Sequence, residues 1–215
     1  MMPPARRAAS PPDATRVSAA ALHEAALAHL ARYAATEAGL RRVLERRIDR
    51  WARAQEGAAT ASPATGAETP SPIGAEAVAE TVAAARAAAR AVVARLAAAR
   101  ALNDAEFAAA RARSLTRAGR SRQAIAAHLA AKGVARETAR AALPAEPEAE
   151  LVAALIQARR RRLGPFRSGE ADAAIRRKEL GVLARAGFAQ AVAAQALGTD
   201  RLEAEALIAQ ARDGG

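Results

Sequence analysis

The residues of this sequence with the clearest chemical potential are its arginines. The 215-residue chain carries 33 basic against 22 acidic residues, a formal net charge of +11, and only Lys132 and Lys178 among the basic residues are lysines. A guanidinium can bind a phosphate or a carboxylate through two parallel hydrogen bonds. The charge therefore predicts either a nucleic acid or an acidic protein surface as partner, although simple solubility would also explain it.

Two groups of cations are candidates for contact with such a partner. The first lies in residues 104–122, where five arginines against two carboxylates leave a net charge of +3. The second is a run of four arginines at the C-terminal end of a predicted helix. The alternative interpretation is that these arginines are simply solvated there, because cations are favourable at the negative end of the helix dipole. With three further cations, the candidate partner- or DNA-binding residues are Arg111, Arg113, Arg117, Arg120, Arg122, Lys132, Arg159, Arg160, Arg161, Arg162, Arg167 and Arg185.

Catalysis and metal binding are not predicted. The three histidines, His23, His29 and His128, lie on separate segments and have no second ligand at a spacing that suits a metal. There is no glycine-rich phosphate loop, and the absence of cysteine excludes disulfides and thiol chemistry. We therefore expect a protein that is not an enzyme and that uses no cofactor, metal or small-molecule substrate.

The sequence also lacks membrane features. No run approaches the ~20 apolar residues that a membrane-spanning helix needs, and the N-terminal segment has no continuous apolar core of the kind found in secretory signals. The absence of cysteine fits a reducing compartment. We expect a cytoplasmic monomer with no membrane partner.

Most of the chain is predicted to be helical, because alanine, leucine, arginine and glutamate are strong helix formers. Aromatic residues make up only 2% of the chain, so its helices must pack around small cores. We predict an all-α fold, an elongated tandem array of about three three-helix repeats that resemble helix-turn-helix units. The predicted segments are a disordered basic tail (1–17), a first repeat (18–55), a flexible linker (56–74), a long helix with the second repeat (75–144), and a third repeat with a C-terminal tail (145–215).

The predicted second helix is amphipathic. Thr36 can cap its N-terminus, and Leu40, Leu44 and Ile48 recur at a helical spacing that indicates one buried face. The opposite face carries arginines with fewer carboxylates between them, so that residues 37–53 have a net charge of +3. The sequence therefore predicts a helix with a basic outer side.

Another helix start is predicted within Leu102–Phe107. With Asn103 as N-cap, Glu106 takes the third helical position, where the two residues can each bond the other's backbone N–H. Leu102 and Phe107 then have the spacing of a hydrophobic staple. Capping and local packing at the helix start are sufficient to explain these residues, so we assign them a structural role.

One spacing recurs in the second half of the chain. A leucine is followed after four residues by a glycine, after five by an apolar residue and after fourteen by a second leucine. This pattern predicts core leucines on two successive helices and, between them, a glycine that ends the first helix in a left-handed turn. The two copies are Leu129, Gly133, Val134 and Leu143, and Leu183, Gly187, Phe188 and Leu197; Ser121 is expected to cap the helix of the first copy, and a weaker third copy at 36–51 lacks the glycine.

These motifs resemble those of the RecX family. The stretch Leu102–Val134 (LNDAEFAAARARSLTRAGRSRQAIAAHLAAKGV) is similar to the central RecX signature, Ala158–Arg167 and Leu183–Phe188 resemble the later module, and Leu30–Ile48 resembles the first module in its alphaproteobacterial form. The resemblance covers most of residues 20–198. The residues that we assign to the structural signature are Leu102, Asn103, Asp104, Phe107, Gly119, Ser121, Ile125, Leu129, Gly133, Gly187 and Phe188.

The resemblance implies three helical repeats that lie along the groove of a RecA recombinase filament. It also implies inhibition of filament growth, strand exchange and ATP hydrolysis, with effects on DNA repair, recombination and the SOS response. The implied partners are RecA and the single-stranded DNA within the filament, with weak direct DNA binding. Ala186 and Ala189 depart from the family pattern, residues 56–74 look like an insertion, and the first module lacks the lysine-glycine turn.

A direct DNA- or RNA-binding protein is the alternative function. Its helix-turn-helix-like units would contact the nucleic acid, and a steep dependence on salt would identify it. The near-absence of aromatic residues disfavours extensive stacking of bases on this protein.

Overall fold

The structure is a computed structural model that describes residues 14–60 and 74–213. Within these ranges it contains ten α-helices and two short 3-10 helices, and no strand. The predicted all-α fold is therefore confirmed. The chain divides into two compact units between Asn103 and Asp104. Residues 1–13 of the predicted tail (1–17) and residues 61–73 of the predicted linker (56–74) lie outside the described residues.

The N-terminal unit is one three-helix repeat, which we call the first repeat. It consists of α1 (Ala19–Leu30), α2 (Glu37–Thr60) and α3 (Ala75–Ala98). All three helices contribute to a single core, which is composed of Val17, Leu22, Ala26, Leu40, Leu44, Ile48, Trp51, Val78, Ala85, Ala89, Val92, Val93, Leu96 and Leu102. The buried face predicted for α2 is thus the face that packs.

Three predicted boundaries of this unit were wrong. Val17, assigned to the tail, is only 2% exposed and belongs to the core, after a 3-10 helix at Ala14–Val17. Helix α2 continues to Thr60, into the predicted linker, because no proline interrupts the chain before Pro63. The long helix α3 packs with α1 and α2 rather than forming one segment with the second repeat. The sequence shows the apolar stripe of α3, but it does not show which helices pack against that stripe.

The C-terminal unit contains two further cores. The second repeat consists of α4 (Asp104–Arg117), α5 (Arg122–Lys132) and α6 (Arg136–Ala142). Its core is formed by Ala108, Ala112, Ile125, Leu129, Val134 and Ala139, with Phe107 packed against it. The third repeat consists of α7 (Pro147–Arg161), α8 (Ala173–Arg185), α9 (Gln190–Gly198) and the additional helix α10 (Arg201–Asp213). Leu155, Leu183, Phe188 and Ile208 are among its core residues.

The second helix of every repeat begins with a side-chain cap. The Gly39 N–H donates to Thr36 Oγ1 at 2.9 Å, the Ala124 N–H to Ser121 Oγ at 3.2 Å, and the Ile175 N–H to Asp172 Oδ1 at 2.7 Å. Each bond satisfies one of the free N–H groups at a helix start. The predicted caps Thr36 and Ser121 are confirmed, and the same type of N-cap hydrogen bond defines where the second helix of each repeat starts.

The repeated glycine turns have the same hydrogen bonds in both copies. Gly133 and Gly187 have φ values of 86° and 88°. The Val134 N–H donates to the Leu129 carbonyl and the Phe188 N–H to the Leu183 carbonyl, both at 3.1 Å. This is the Schellman pattern, in which the apolar residue after the glycine folds back over the helix end. The predicted internal repeat is thus a repeated chain reversal between two helices.

Two arginines adopt the left-handed conformation that glycine favours. Arg162, after α7, has φ 55° and ψ 51°, and Arg100, after α3, has φ 55°. The Leu163 N–H donates to the Ala158 carbonyl at 2.9 Å, the bond expected of a Schellman turn. Each arginine therefore occupies a position that is strained for a residue with a Cβ atom.

Candidate partner-binding surface

The second and third repeats dock through small residues of their turns. A Cβ atom on Gly119 would lie 2.6 Å from Ile156 Cγ2, and one on Gly187 would lie 2.6 Å from Ser121 Oγ. Ser121 is fully buried, and its hydroxyl donates to the Ala186 carbonyl at 2.7 Å while it caps α5. The predicted signature residues Gly119, Ser121 and Gly187 therefore join two repeats, a role that their local sequence did not reveal.

Two polar contacts attach α7 to the turn between α4 and α5. The Glu150 carboxylate accepts the Arg122 N–H at 3.1 and 3.2 Å, and burial raises the pKa of this carboxyl although that hydrogen bond opposes the shift. At the other end of α7, Arg160 Nη1 donates to the Ala118 carbonyl at 2.6 Å. The structure thus brings the arginine run at the end of α7 to the turn that carries other candidate cations.

A second group of candidate cations surrounds His128 on α5. Arg111 Nε donates to His128 Nε2 at 3.1 Å, so the imidazole accepts a hydrogen bond through this nitrogen. Burial, and then the positive charges of Arg111, Lys132 and Arg120, lower the pKa of His128. We call these four residues the His128 cluster. From the sequence, His128 was interpreted as an isolated residue, although its spacing of four from Lys132 was an available signal.

The remaining candidate cations are spread over several exposed positions. Arg113 and Arg117 lie four residues apart on α4, away from its buried Ala108 and Ala112. Arg161 and Arg162 are exposed at the end of α7, next to the half-buried Arg159. Arg185 is exposed at the end of α8, with its guanidinium beside Gly181. The candidate set therefore forms no single pocket but lines the exposed ends and outer faces of the second and third repeats.

Arg167 differs from the other candidates because it is held inside the third repeat. Its Nε and Nη2 atoms donate to the two oxygens of Glu179, both at 2.9 Å, and the side chains are 19% and 7% exposed. This hydrogen bond with Glu179 raises the pKa of the Arg167 guanidinium. Glu179 also accepts the Gly164 N–H at 3.3 Å. The pair therefore ties the 3-10 turn Gly164–Phe166 to α8.

Glu179 was not predicted from the sequence as a partner of Arg167, although the internal repeat contained a signal. Glu179 lies four residues before Leu183, as Ile125 lies four before Leu129. Aligning the two copies would have placed a carboxylate at a core position of α8. Such a buried charge requires a partner, and Arg167 supplies it.

The described part of the chain contains no group of three or more histidine, cysteine, aspartate or glutamate side chains that could hold a metal ion. None of the described helices combines the length and the apolar character needed to cross a bilayer.

Comparison with known proteins identifies the family. The model of the second three-helix domain of RecX matches residues 103–143, which coincide with the second repeat. The regulatory protein RecX of Myxococcus xanthus is 37% identical over 194 residues, which are 89% of this chain and 91% of that protein. The chain belongs to the RecX family. No solved structure matches it.

A second relative is the regulatory protein RecX of Agrobacterium fabrum, an alphaproteobacterium. It is 41% identical over 112 residues, which are 52% of this chain and 60% of that protein. The predicted family and its helical repeats are confirmed, and the match to the second repeat agrees with the signature that was assigned to Leu102–Val134.

Proposed function

We propose that this RecX protein binds the filament of RecA on single-stranded DNA and inhibits or modulates its recombinase and ATPase activities. It would act as a cytoplasmic monomer in DNA repair and the SOS response, without a cofactor. Membership of a family of regulatory proteins supports this proposal. The observation that carries it is the exposed cationic lining of the two docked repeats in the C-terminal unit.

The distribution of these cations suits a long, repetitive partner. An exposed ion pair contributes only about 0–1 kcal/mol, so no single arginine would determine affinity. Several such contacts made together along a filament can add up, and they also accelerate association. The polar contacts at Ala118, Arg122 and Ala186 hold the repeats together and thus keep the spacing of these cations fixed.

The test is the ATPase activity of RecA on single-stranded DNA, titrated with this protein at fixed salt. The variant Arg161→Glu/Arg162→Glu reverses two exposed cations and leaves the bond of Arg160 to Ala118 in place. We expect about tenfold more of this variant to be needed for half-inhibition, as two weak contacts become repulsive.

Arg176→Glu/Arg177→Glu is the matched control. It makes the same charge change on exposed residues of α8 that lie outside the candidate set. Far-UV circular dichroism should show unchanged helicity for both variants. No effect of the wild-type protein on RecA would refute the proposal, and equal losses in the two variants would refute the assignment of the arginine run.

The alternative is direct binding to DNA or RNA. The tight turn at Gly133 between α5 and α6, with Lys132 beside it, favours this possibility because it resembles a helix-turn-helix. A direct binder should affect RecA only at concentrations near its dissociation constant for naked nucleic acid, and the effect should weaken steeply as salt rises. A filament modulator should instead affect RecA at concentrations well below its dissociation constant for naked DNA.

A further inference from the structure

The outer face of α2 in the first repeat has a separate concentration of positive charge. Arg46, Arg50 and Arg53 are exposed and recur at spacings of four and three, so they form one row about 10 Å long. Together with His29 and Val43 they line an open groove of about 460 Å³ between α1 and α2. None of these five residues belongs to the cationic surface of the second and third repeats.

Two carboxylates of α2 pair with arginines outside this row. Glu45 pairs with Arg41 on the same helix at 3.9 Å, and Asp49 pairs with Arg86 of α3 at 3.0 Å. Among the described residues, no carboxylate lies within ion-pair distance of Arg46, Arg50 or Arg53. In the first repeat, Asp49 therefore pairs across to α3 and Glu45 along α2, while three guanidinium groups line the groove.

The only tyrosine of the chain lies next to this groove. Tyr33 follows α1 and is 61% exposed, and its ring contacts the ring of His29 with centroids 5.3 Å apart and planes inclined by 40°. An exposed aromatic ring supported by a second ring, beside a row of cations, suits a ligand that has both a flat face and repeated negative charges. A single-stranded nucleic acid has both, whereas an acidic peptide has only the charges.

We propose that the groove between α1 and α2 binds a single-stranded nucleic acid, with phosphates on Arg46, Arg50 and Arg53 and one base stacked on Tyr33. The row of guanidinium groups would follow the backbone, while Tyr33 would hold the base without reading its sequence. One tyrosine provides for one stacked base, which agrees with the scarcity of aromatic residues elsewhere. This site does not depend on any action upon RecA.

The experiment measures binding of a fluorescein-labelled oligothymidylate to the full chain by anisotropy over a range of salt concentrations, without RecA. For Arg46→Gln/Arg53→Gln we expect weaker binding and a salt slope smaller by about 0.7 for each phosphate contact that is lost. Tyr33→Ala should weaken binding by about 5- to 150-fold, the range measured for one stacked base, while Tyr33→Phe should bind like the wild type.

Arg90→Gln/Arg95→Gln, on exposed positions of α3, is the control for charge alone. Equal losses in the two double variants would overturn the proposed site, and so would an unchanged affinity of Tyr33→Ala. Equal competition by polyglutamate of matched charge would assign the groove to an acidic protein instead. Photo-crosslinking of a 5-iodouracil oligonucleotide to the wild-type chain needs no variant: a crosslink at Tyr33 supports the site, and crosslinks confined to the C-terminal unit overturn it.

Discussion

Replacement of Ser121 by alanine should remove two roles of this buried hydroxyl at once. The Ser121 side chain caps α5 by accepting the Ala124 N–H at 3.2 Å and joins the second and third repeats by donating to the Ala186 carbonyl at 2.7 Å. Loss of an N-cap costs about 1 kcal/mol. The Ala186 carbonyl, which is only partly buried, would lose its donor at a cost of roughly 1 kcal/mol, the low end for an unsatisfied group. We therefore expect the free energy of unfolding to fall by about 2 kcal/mol.

Ser18→Ala is the matched control, because Ser18 caps α1 by accepting the Ala21 N–H at 3.3 Å in an exposed setting and, within residues 14–60 and 74–213, its side chain makes no bond to another repeat. Its cost should be about 0.5–1 kcal/mol. Urea unfolding followed by far-UV circular dichroism measures both variants. The fluorescence of Trp51, the single tryptophan, reports the N-terminal unit and should respond more to the Ser18 variant. The reasoning would be refuted if Ser121→Ala cost no more than Ser18→Ala.

A double-mutant cycle with Gly187→Ala tests the close approach itself. The single variant Gly187→Ala should cost more than about 1–2 kcal/mol, because a Cβ at φ 88° is strained and would lie 2.6 Å from Ser121 Oγ. Removing that oxygen eliminates the shortest of these contacts and leaves Gln123 Oε1 at 3.2 Å as the nearest atom. The double variant Ser121→Ala/Gly187→Ala should therefore cost at least about 0.5 kcal/mol less than the sum of the single variants. Additive costs would show that the two positions are not in contact.

Two further predictions concern single residues of the C-terminal unit. In urea unfolding, Arg162→Gly should raise the free energy of unfolding by about 0.5–1 kcal/mol, because relief of left-handed strain exceeds the added entropy of the unfolded chain. Arg161→Gly, at the last position of α7, should lower the free energy of unfolding. A lower free energy of unfolding in both variants would contradict the left-handed conformation of Arg162. The lowered pKa of His128 means that the unfolded chain takes up a proton more readily than the folded one as the pH falls below the usual 6.5. The free energy of unfolding should therefore decline from that pH downward until His128 is protonated in the folded protein too. Urea unfolding at a series of pH values should show that His128→Gln removes this part of the decline. An identical pH profile for the variant would contradict the placement of His128 among these cations.

The features predicted correctly from the sequence are those that depend on neighbours along the chain. Thr36 and Ser121 were identified as caps because a cap bonds an N–H group three residues later. Gly133 and Gly187 were identified as helix ends because only a left-handed residue lets the following apolar side chain fold back. The RecX family assignment followed from these same local motifs, and for this reason it was most specific in the second repeat.

The features that were missed depend on contacts between distant segments. Ser121 and Ala186 are 65 residues apart in the sequence, and nothing near either residue indicates the other. The assignment of α3 to the first repeat required knowledge of which apolar stripe faces it. Arg167 was grouped with the surface cations because a guanidinium that pairs with a buried carboxylate looks, in sequence, like one that faces solvent.

Arginines that bond within the fold and arginines that face solvent have different roles in this highly charged chain. Arg167 and Arg160 are used internally, the first by Glu179 and the second by the Ala118 carbonyl, and both bonds depend on a guanidinium with several N–H donors. On the surface of the first repeat, Arg86 of α3 pairs with Asp49 of α2 at 3.0 Å and so engages one of the carboxylates on that helix. Folding therefore determines which positive charges remain available. The arginines of the proposed α2 groove and the candidate cations of the second and third repeats belong to different units, so the proposed binding of nucleic acid and the proposed action on RecA can be tested by different substitutions.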